Sequence, residues 1–304
     1  MGPSAKKMRG QIDADAVPVP LHGRGRREGG MRRSEVTSAD GLKLAAYEGG
    51  NAGGPEILFI HGFSQCAECW EPQFYDPQLS GRFRLTAFDL RGHGASDKPS
   101  SPDRYAEDRF FADDVKAVMD ALGLKRPVLV GWSYAGRIVE DYLEAYGTAR
   151  IAGINYVCAR TNNQPEFVGP GNDYLAAMTG EDRAADLAAT RAFVRACFAR
   201  PPAPEVLERI VDYNMLVPAR VRAAHLSRPP SDGAVLRTID VPVLVTQGDQ
   251  DLLVTKGLGE LTAALVPGAR LSMFEGVGHA PFVEDATRFN RELAEFAAAV
   301  HQRR

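Results

Sequence analysis

Val128-Leu129-Val130-Gly131-Trp132-Ser133-Tyr134-Ala135-Gly136 is an apolar run that ends in a serine set among small residues. Ile138, Val139, Tyr142 and Leu143 follow at helical spacing, so the stretch reads as a buried strand, a sharp turn and a helix. A serine at the tip of such a turn needs neighbours without bulk, because the backbone closes on itself and carries the hydroxyl into the open. Gly131 and Ala135 meet that need; Ala135 adds one methyl to the usual G-x-S-x-G pattern, and Gly136 follows it directly.

A serine hydroxyl is a poor nucleophile at neutral pH unless an imidazole takes its proton. His22 lies in a Gly/Arg-rich tail, His225 in a polar helical stretch before Pro229-Pro230, and His301 near the chain's end; all read as surface residues. His61 and His93 sit in loops directly after strands. His279 lies where the strand Leu271 to Phe274 runs through a Gly-rich loop into a helix begun by Pro281. The C-terminal end of a strand is where open α/β sheets place their ligands, so His279 is the expected base. The imidazole in turn needs a carboxylate to fix its tautomer. Val241-Pro242-Val243-Leu244-Val245-Thr246 reads as another buried strand and leads into Gly248-Asp249-Gln250-Asp251. Asp251 is the preferred acid; Asp249 is the alternative, and it also suits a turn-capping role.

Ser133, Asp251 and His279 each follow their own strand, in the order Ser, acid, His. Two segments upstream add to the pattern: Ile57-Leu58-Phe59-Ile60 ends in His61-Gly62-Phe63, and Leu85-Thr86-Ala87-Phe88 ends in Asp89-Leu90-Arg91-Gly92-His93-Gly94-Ala95-Ser96. With these residues the chain resembles the α/β-hydrolase superfamily over residues 35–300, in its serine-nucleophile, lid-bearing, esterase or non-haem haloperoxidase-like branch. The resemblance implies an α/β fold with a mostly parallel sheet flanked by helices and a helical lid insertion. It implies Ser133 as nucleophile, and it gives the backbone N–H groups of Phe63 and Tyr134 the oxyanion-holding role. His61 and the Asp89 to Ser96 loop become braces for that region, and neither cofactor nor metal is called for.

At 304 residues with 44% hydrophobic content, one large core with an insertion suffices. The expected division is an N-terminal extension over 1–32, a core over 33–159 and 237–304, and a helical lid over 160–236. Residues 1–32 are rich in Gly, Arg, Lys and Pro without apolar periodicity and are expected to be disordered. Met31 makes 1–30 a candidate start-site extension. A net charge of -3 with no basic face argues for a small-molecule substrate rather than nucleic acid. The absence of a long apolar segment argues against a membrane span, and the expected compartment is the cytoplasm. Four cysteines without a disulfide or zinc pattern fit that compartment as free thiols. In the lid, Tyr174, Met178, Phe193, Phe198, Tyr213 and Met215 are candidates to face substrate. The chemistry expected first is hydrolysis of a small ester through an acyl-enzyme. C–C bond hydrolysis, perhydrolysis or haloperoxidase-like chemistry and hydroxynitrile-lyase-like chemistry use the same triad, and a hydrolase-derived ligand receptor is the non-enzymatic alternative.

Overall fold

A computed structural model describes residues 31–229 and 231–302. Its strands are β1 (Arg32–Thr37), β2 (Lys43–Gly50), β3 (Glu56–Ile60), β4 (Arg84–Phe88), β5 (Val128–Trp132), β6 (Gly153–Val157), β7 (Val243–Gly248) and β8 (Arg270–Phe274). They form one sheet in the order β1-β2-β4-β3-β5-β6-β7-β8. The β1–β2 and β2–β4 pairs are antiparallel, and every later pair is parallel. In β5, β6 and β7 every residue is buried, the pattern of strands covered on both faces rather than one. The covering helices include α1 (Asp108–Ala121), which packs on α2 (Ala135–Tyr146), and the long C-terminal helix. Because β3, β5, β7 and β8 are parallel, the loops that follow them all leave the same edge of the sheet. The sequence expected His61, Ser133, Asp251 and His279 in those loops.

Between β6 and β7 the described chain is helical. It carries α3 (Arg183–Ala196), α4 (Pro204–Met215) and α5 (Ala219–Leu226), with shorter turns before and after them. Most of the expected N-terminal extension, 1–30, lies outside the described residues; Arg32 already belongs to β1.

One expectation is corrected here. His225 is not a surface residue: it is 1% exposed. Its ring packs against His93, Tyr105, Phe111 and Tyr134, with centroids 4.8 to 5.4 Å away. The helix looks polar in sequence because its buried side carries Arg222 and His225, whose polar atoms, His225 Nδ1 apart, find partners inside the protein. Hydrophobic periodicity does not register such a face. His301 is half-buried, with Nδ1 2.8 Å from the Ala297 carbonyl, and His22 lies outside the described residues.

Candidate active site

Ser133 stands between β5 and α2 with φ 56°, in the left-handed region that a non-glycine residue rarely occupies. Its N–H donates to the Val157 carbonyl at 3.0 Å, and its carbonyl accepts from Gly136 and Arg160 at 2.9 and 2.8 Å, so the strained turn is bonded on both sides. The departure at Ala135 is accommodated, since its methyl is fully buried. Close approach falls on the next residue instead. A Cβ on Gly136 would stand 2.9 Å from Ala159 Cβ and 3.0 Å from the Arg160 nitrogen.

His279 is 1% exposed and held at three points. Its N–H donates to the Cys197 carbonyl at 2.9 Å, and its carbonyl accepts from Trp132 Nε1 at 2.8 Å. Its Nδ1 lies 2.7 Å from Asp251 Oδ2. The remaining ring nitrogen, Nε2, is buried and makes no hydrogen bond among the described residues. Asp251 is oriented by N–H donors from Leu253 (2.8 Å) and Val254 (3.0 Å) to Oδ1, and by Gln247 Nε2 (3.2 Å) to Oδ2. A carboxylate so bonded is free to do one thing, which is to hold the imidazole with Nδ1 protonated and Nε2 available as a base. Asp249, the alternative acid, accepts from Gly276 N at 2.7 Å instead and fastens the loop as a cap.

Beneath these groups Trp70, Trp132 and Phe282 form an aromatic wedge, with Phe282 centroids 4.3 and 4.8 Å from the two indoles. Sequence reading passed over the Trp132 contact, because a tryptophan beside a nucleophile reads as core until its N–H partner is known.

Tyr134 follows Ser133 directly and Phe63 lies in the loop after β3, their rings edge to face at 6.4 Å. Neither backbone N–H donates a hydrogen bond among the described residues. Gly62 brings the two segments together: a Cβ there would stand 3.1 Å from Ser133 Cβ and 3.3 Å from the Trp132 carbonyl oxygen. The expected braces are in place. His61 Nδ1–H donates to the Gly62 carbonyl (2.8 Å), and its Nε2 accepts from Leu90 N (3.0 Å). Asp89 accepts from Ala67 N, Ala95 N and Tyr47 Oη at 2.7 to 3.0 Å. Burial lowers the His61 pKa to about 4, so this brace is neutral.

Of the helical side chains singled out between β6 and β7, Phe193 meets the Phe63 ring at 6.2 Å, and Phe198 and Tyr213 line a cavity. That cavity also touches Trp132 and Ala280, the sequence neighbours of Ser133 and His279. Met178 is fully buried, Met215 half-buried, and Tyr174 is 39% exposed. Cys158 Sγ, Asp251 and His279 form the one group of metal-type ligands among the described residues, within 4.8 Å of one another. Asp251 is already bonded to His279, and burial pushes the Cys158 thiol well above its usual range. A protonated thiol beside a committed carboxylate is a poor cation cage.

Residues 57–292 match the model of the alpha/beta hydrolase family. The chain belongs to the alpha/beta hydrolase family. Among solved members it is 34% identical to a provisionally named aryl esterase from Burkholderia cenocepacia, with TM-score 0.85 over 89% of this chain and 100% of that one. It is also 34% identical to an esterase from Rhodococcus sp. ECU1013, with TM-score 0.82 over 88% and 99%. A bifunctional esterase/perhydrolase from Acinetobacter calcoaceticus is 29% identical over 86% of this chain and 98% of its own. Among the described residues no helix is long and apolar enough to cross a membrane.

Proposed function

We propose that this protein hydrolyses small carboxylic esters through an acyl-enzyme on Ser133. The observation that carries the reading is the buried Asp251–His279 pair, whose unbonded Nε2 belongs to the same sheet edge as a serine held at φ 56°. In the reaction, Ser133 Oγ attacks the ester carbonyl as His279 Nε2 takes its proton. The Phe63 and Tyr134 N–H groups hold the oxyanion, and the proton passes to the leaving alcohol. Water, deprotonated by the same nitrogen, then attacks the acyl group and releases the acid. Esterases at 34% identity, and a largely apolar cavity beside Trp132 and Ala280, support a small-molecule substrate. The helical segment 160–236 acts as the lid, with Phe193 over Phe63 as its contact with the site. Four free cysteines fit a reducing compartment, the cytoplasm.

The resemblance to an esterase/perhydrolase favours one companion activity, attack of hydrogen peroxide in place of water on the acyl-enzyme to give a peracid. The test is mass spectrometry of the intact protein after an organophosphonate probe, together with turnover of p-nitrophenyl esters with and without peroxide. One adduct on Ser133, and a loss of about 10⁴-fold or more in Ser133→Ala, is the expected result. Undiminished turnover in Ser133→Ala would overturn the reading.

A further inference from the structure

Two buried arginines from one short segment reach the two segments that carry Phe63 and Tyr134. Arg222 lies on α5 and is fully buried; Arg228 follows two residues after the helix, its side chain also fully buried. Arg222 Nε donates to Ser64 Oγ at 2.9 Å, and Ser64 directly follows Phe63. Ser64 is itself held at φ 59°, with its N–H donating to His93 Nε2 at 3.2 Å and its hydroxyl to the Asn214 carbonyl at 3.4 Å. The Arg222 guanidinium is fixed before it arrives there. It donates to the Asn214 carbonyl at 2.6 Å and the Met178 carbonyl at 3.1 Å, and it pairs with Asp186 of α3. Arg228 Nη1 donates to Tyr134 Oη at 3.0 Å. Its Nη2 is shared between Asp108 (2.6 Å) and Asp141 (2.7 Å), and its plane lies 3.9 Å over the Phe111 ring. Tyr134 Oη donates to the His225 carbonyl at 3.3 Å.

We propose that the segment Ala219 to Arg228 positions both oxyanion donors, Arg222 setting the Phe63 N–H through Ser64 and Arg228 setting the Tyr134 N–H through its phenol. The inference rests on the triad and oxyanion assignment of the preceding section. Its physical basis is that a guanidinium presents donors in a fixed planar fork, so anchoring some of them to carboxylates and carbonyls fixes the direction of the rest. Buried ion pairs are replaceable by apolar packing when stability alone is at stake. Both of these instead place a donor on the residue that carries, or adjoins, a backbone N–H that makes no hydrogen bond among the described residues. Oxyanion donors act only when preorganised, and a displacement of about 1 Å in a reacting constellation costs on the order of 10²-fold in rate. Arg222 and Arg228 are thus positioning residues, touching no substrate, whose effect falls on the transition state.

The test uses the full chain with Ser64→Ala and Tyr134→Phe, which keep every backbone N–H and remove only a hydroxyl, then Arg222→Met, Arg228→Met and the two matched double variants. For each, kcat and KM with p-nitrophenyl acetate, inhibition by phenylboronic acid as a tetrahedral mimic, and Tm are measured. The expected result is a kcat lowered about 10-fold in each hydroxyl variant, short of the 10² to 10³ for outright loss of a donor, with KM within about 2-fold. Boronate affinity should fall with kcat/KM, and each arginine variant should add little to its hydroxyl partner in the double variant. Wild-type kcat in both Ser64→Ala and Tyr134→Phe, or a fall in Tm with unchanged boronate affinity, would overturn the proposal. If Ser133→Ala is inactive while those two variants match wild type, only the positioning role fails. If Ser133→Ala is active, the underlying assignment fails instead.

Discussion

Gly136, rather than Ala135, carries the tight approach that the serine turn requires, so the two positions respond oppositely to a methyl group. In Gly136→Ala the new Cβ meets the Arg160 backbone at 3.0 Å and Ala159 at 2.9 Å, and backbone cannot move aside as a flexible side chain would. Overpacking of this kind costs about 1–3 kcal/mol, and because Arg160 N bonds to the Ser133 carbonyl the distortion passes to Ser133. Gly136→Ala is expected to lower both Tm and kcat, whereas Ala135→Gly, a loss of helix propensity of about 1 kcal/mol, lowers Tm alone. Thermal unfolding and p-nitrophenyl acetate kinetics on the two variants check the contrast. Asp251→Asn makes a sharper case. The Leu253 and Val254 N–H groups hold Oδ1 as an acceptor, which leaves the new amide NH₂ facing His279 Nδ1 and forces the proton onto Nε2. An imidazole in that tautomer is no base for Ser133, and a kcat loss on the order of 10³ to 10⁴ with little change in Tm is expected. The placement of Ser133, Asp251 and His279 after β5, β7 and β8 was legible in sequence because each follows an apolar strand at a point marked by glycine or proline. Arg222, Arg228 and His225 were not, since their partners are 7 to 158 residues away and a buried polar residue leaves no periodic trace.

At the scale of elements, α5 and the loops after β3 and β4 share three histidine rings in a row, His61 tilted to His93 at 5.1 Å and His93 edge to face with His225 at 4.8 Å. The Arg91 carbonyl accepts from His93 Nδ1 at 3.0 Å and from His225 Nε2 at 3.3 Å, so all three rings are used as neutral hydrogen-bonding groups. Burial is the first cause of their low basicity. It lowers His61 to about 4 and His225 to about 3, and it takes His93 well below its usual value, with the neighbouring histidines adding to the effect. The sign of the linkage follows. Above pH ~6.5 the rings are neutral in both folded and unfolded chains and contribute no pH dependence. As pH falls from ~6.5 toward 4, the unfolded chain binds protons that the folded one refuses, so stability is lost on acidification. Urea unfolding between pH 7 and 4.5 is expected to show an uptake on unfolding approaching three protons from this cluster. His225→Gln should remove about one of them. An unchanged slope in that variant would mean that the rings titrate alike in both states. The strands read from sequence, which are β3, β4, β5, β7 and β8, were placed to within two residues because apolar runs mark their buried middles; β1 and β2 were not read. The face of α5 was not legible, because an arginine and a histidine share its packing with only Val221 and Ala224.

For the whole molecule, the inserted helices and the sheet share one hydrophobic core, in which Phe193, Phe198 and Tyr213 are continuous with Phe63, Trp132 and Phe282. The cysteines sample that core at both ends of the site. Cys66 and Cys69 stand on the turn after Phe63, while Cys158 Sγ lies 3.8 Å from the Gly278 carbonyl and the Cys197 carbonyl accepts from His279 N. All four are free and buried, between 0% and 7% exposed, and burial pushes every thiol above its usual pKa. Thiolate is the reactive form, so the folded protein is doubly protected, by access and by protonation. If the inserted helices open only with the sheet, labelling by an aromatic disulfide reagent at pH 8 should reach all four thiols at one common rate. That rate should rise with guanidinium in step with loss of activity. If instead the helices open as a separate unit, Cys197 should label ahead of Cys158, although both border the same histidine loop, and esterase activity should fall while the sheet's circular dichroism persists. The shared core favours the common rate, and the order in which these two cysteines react decides between the two modes of opening.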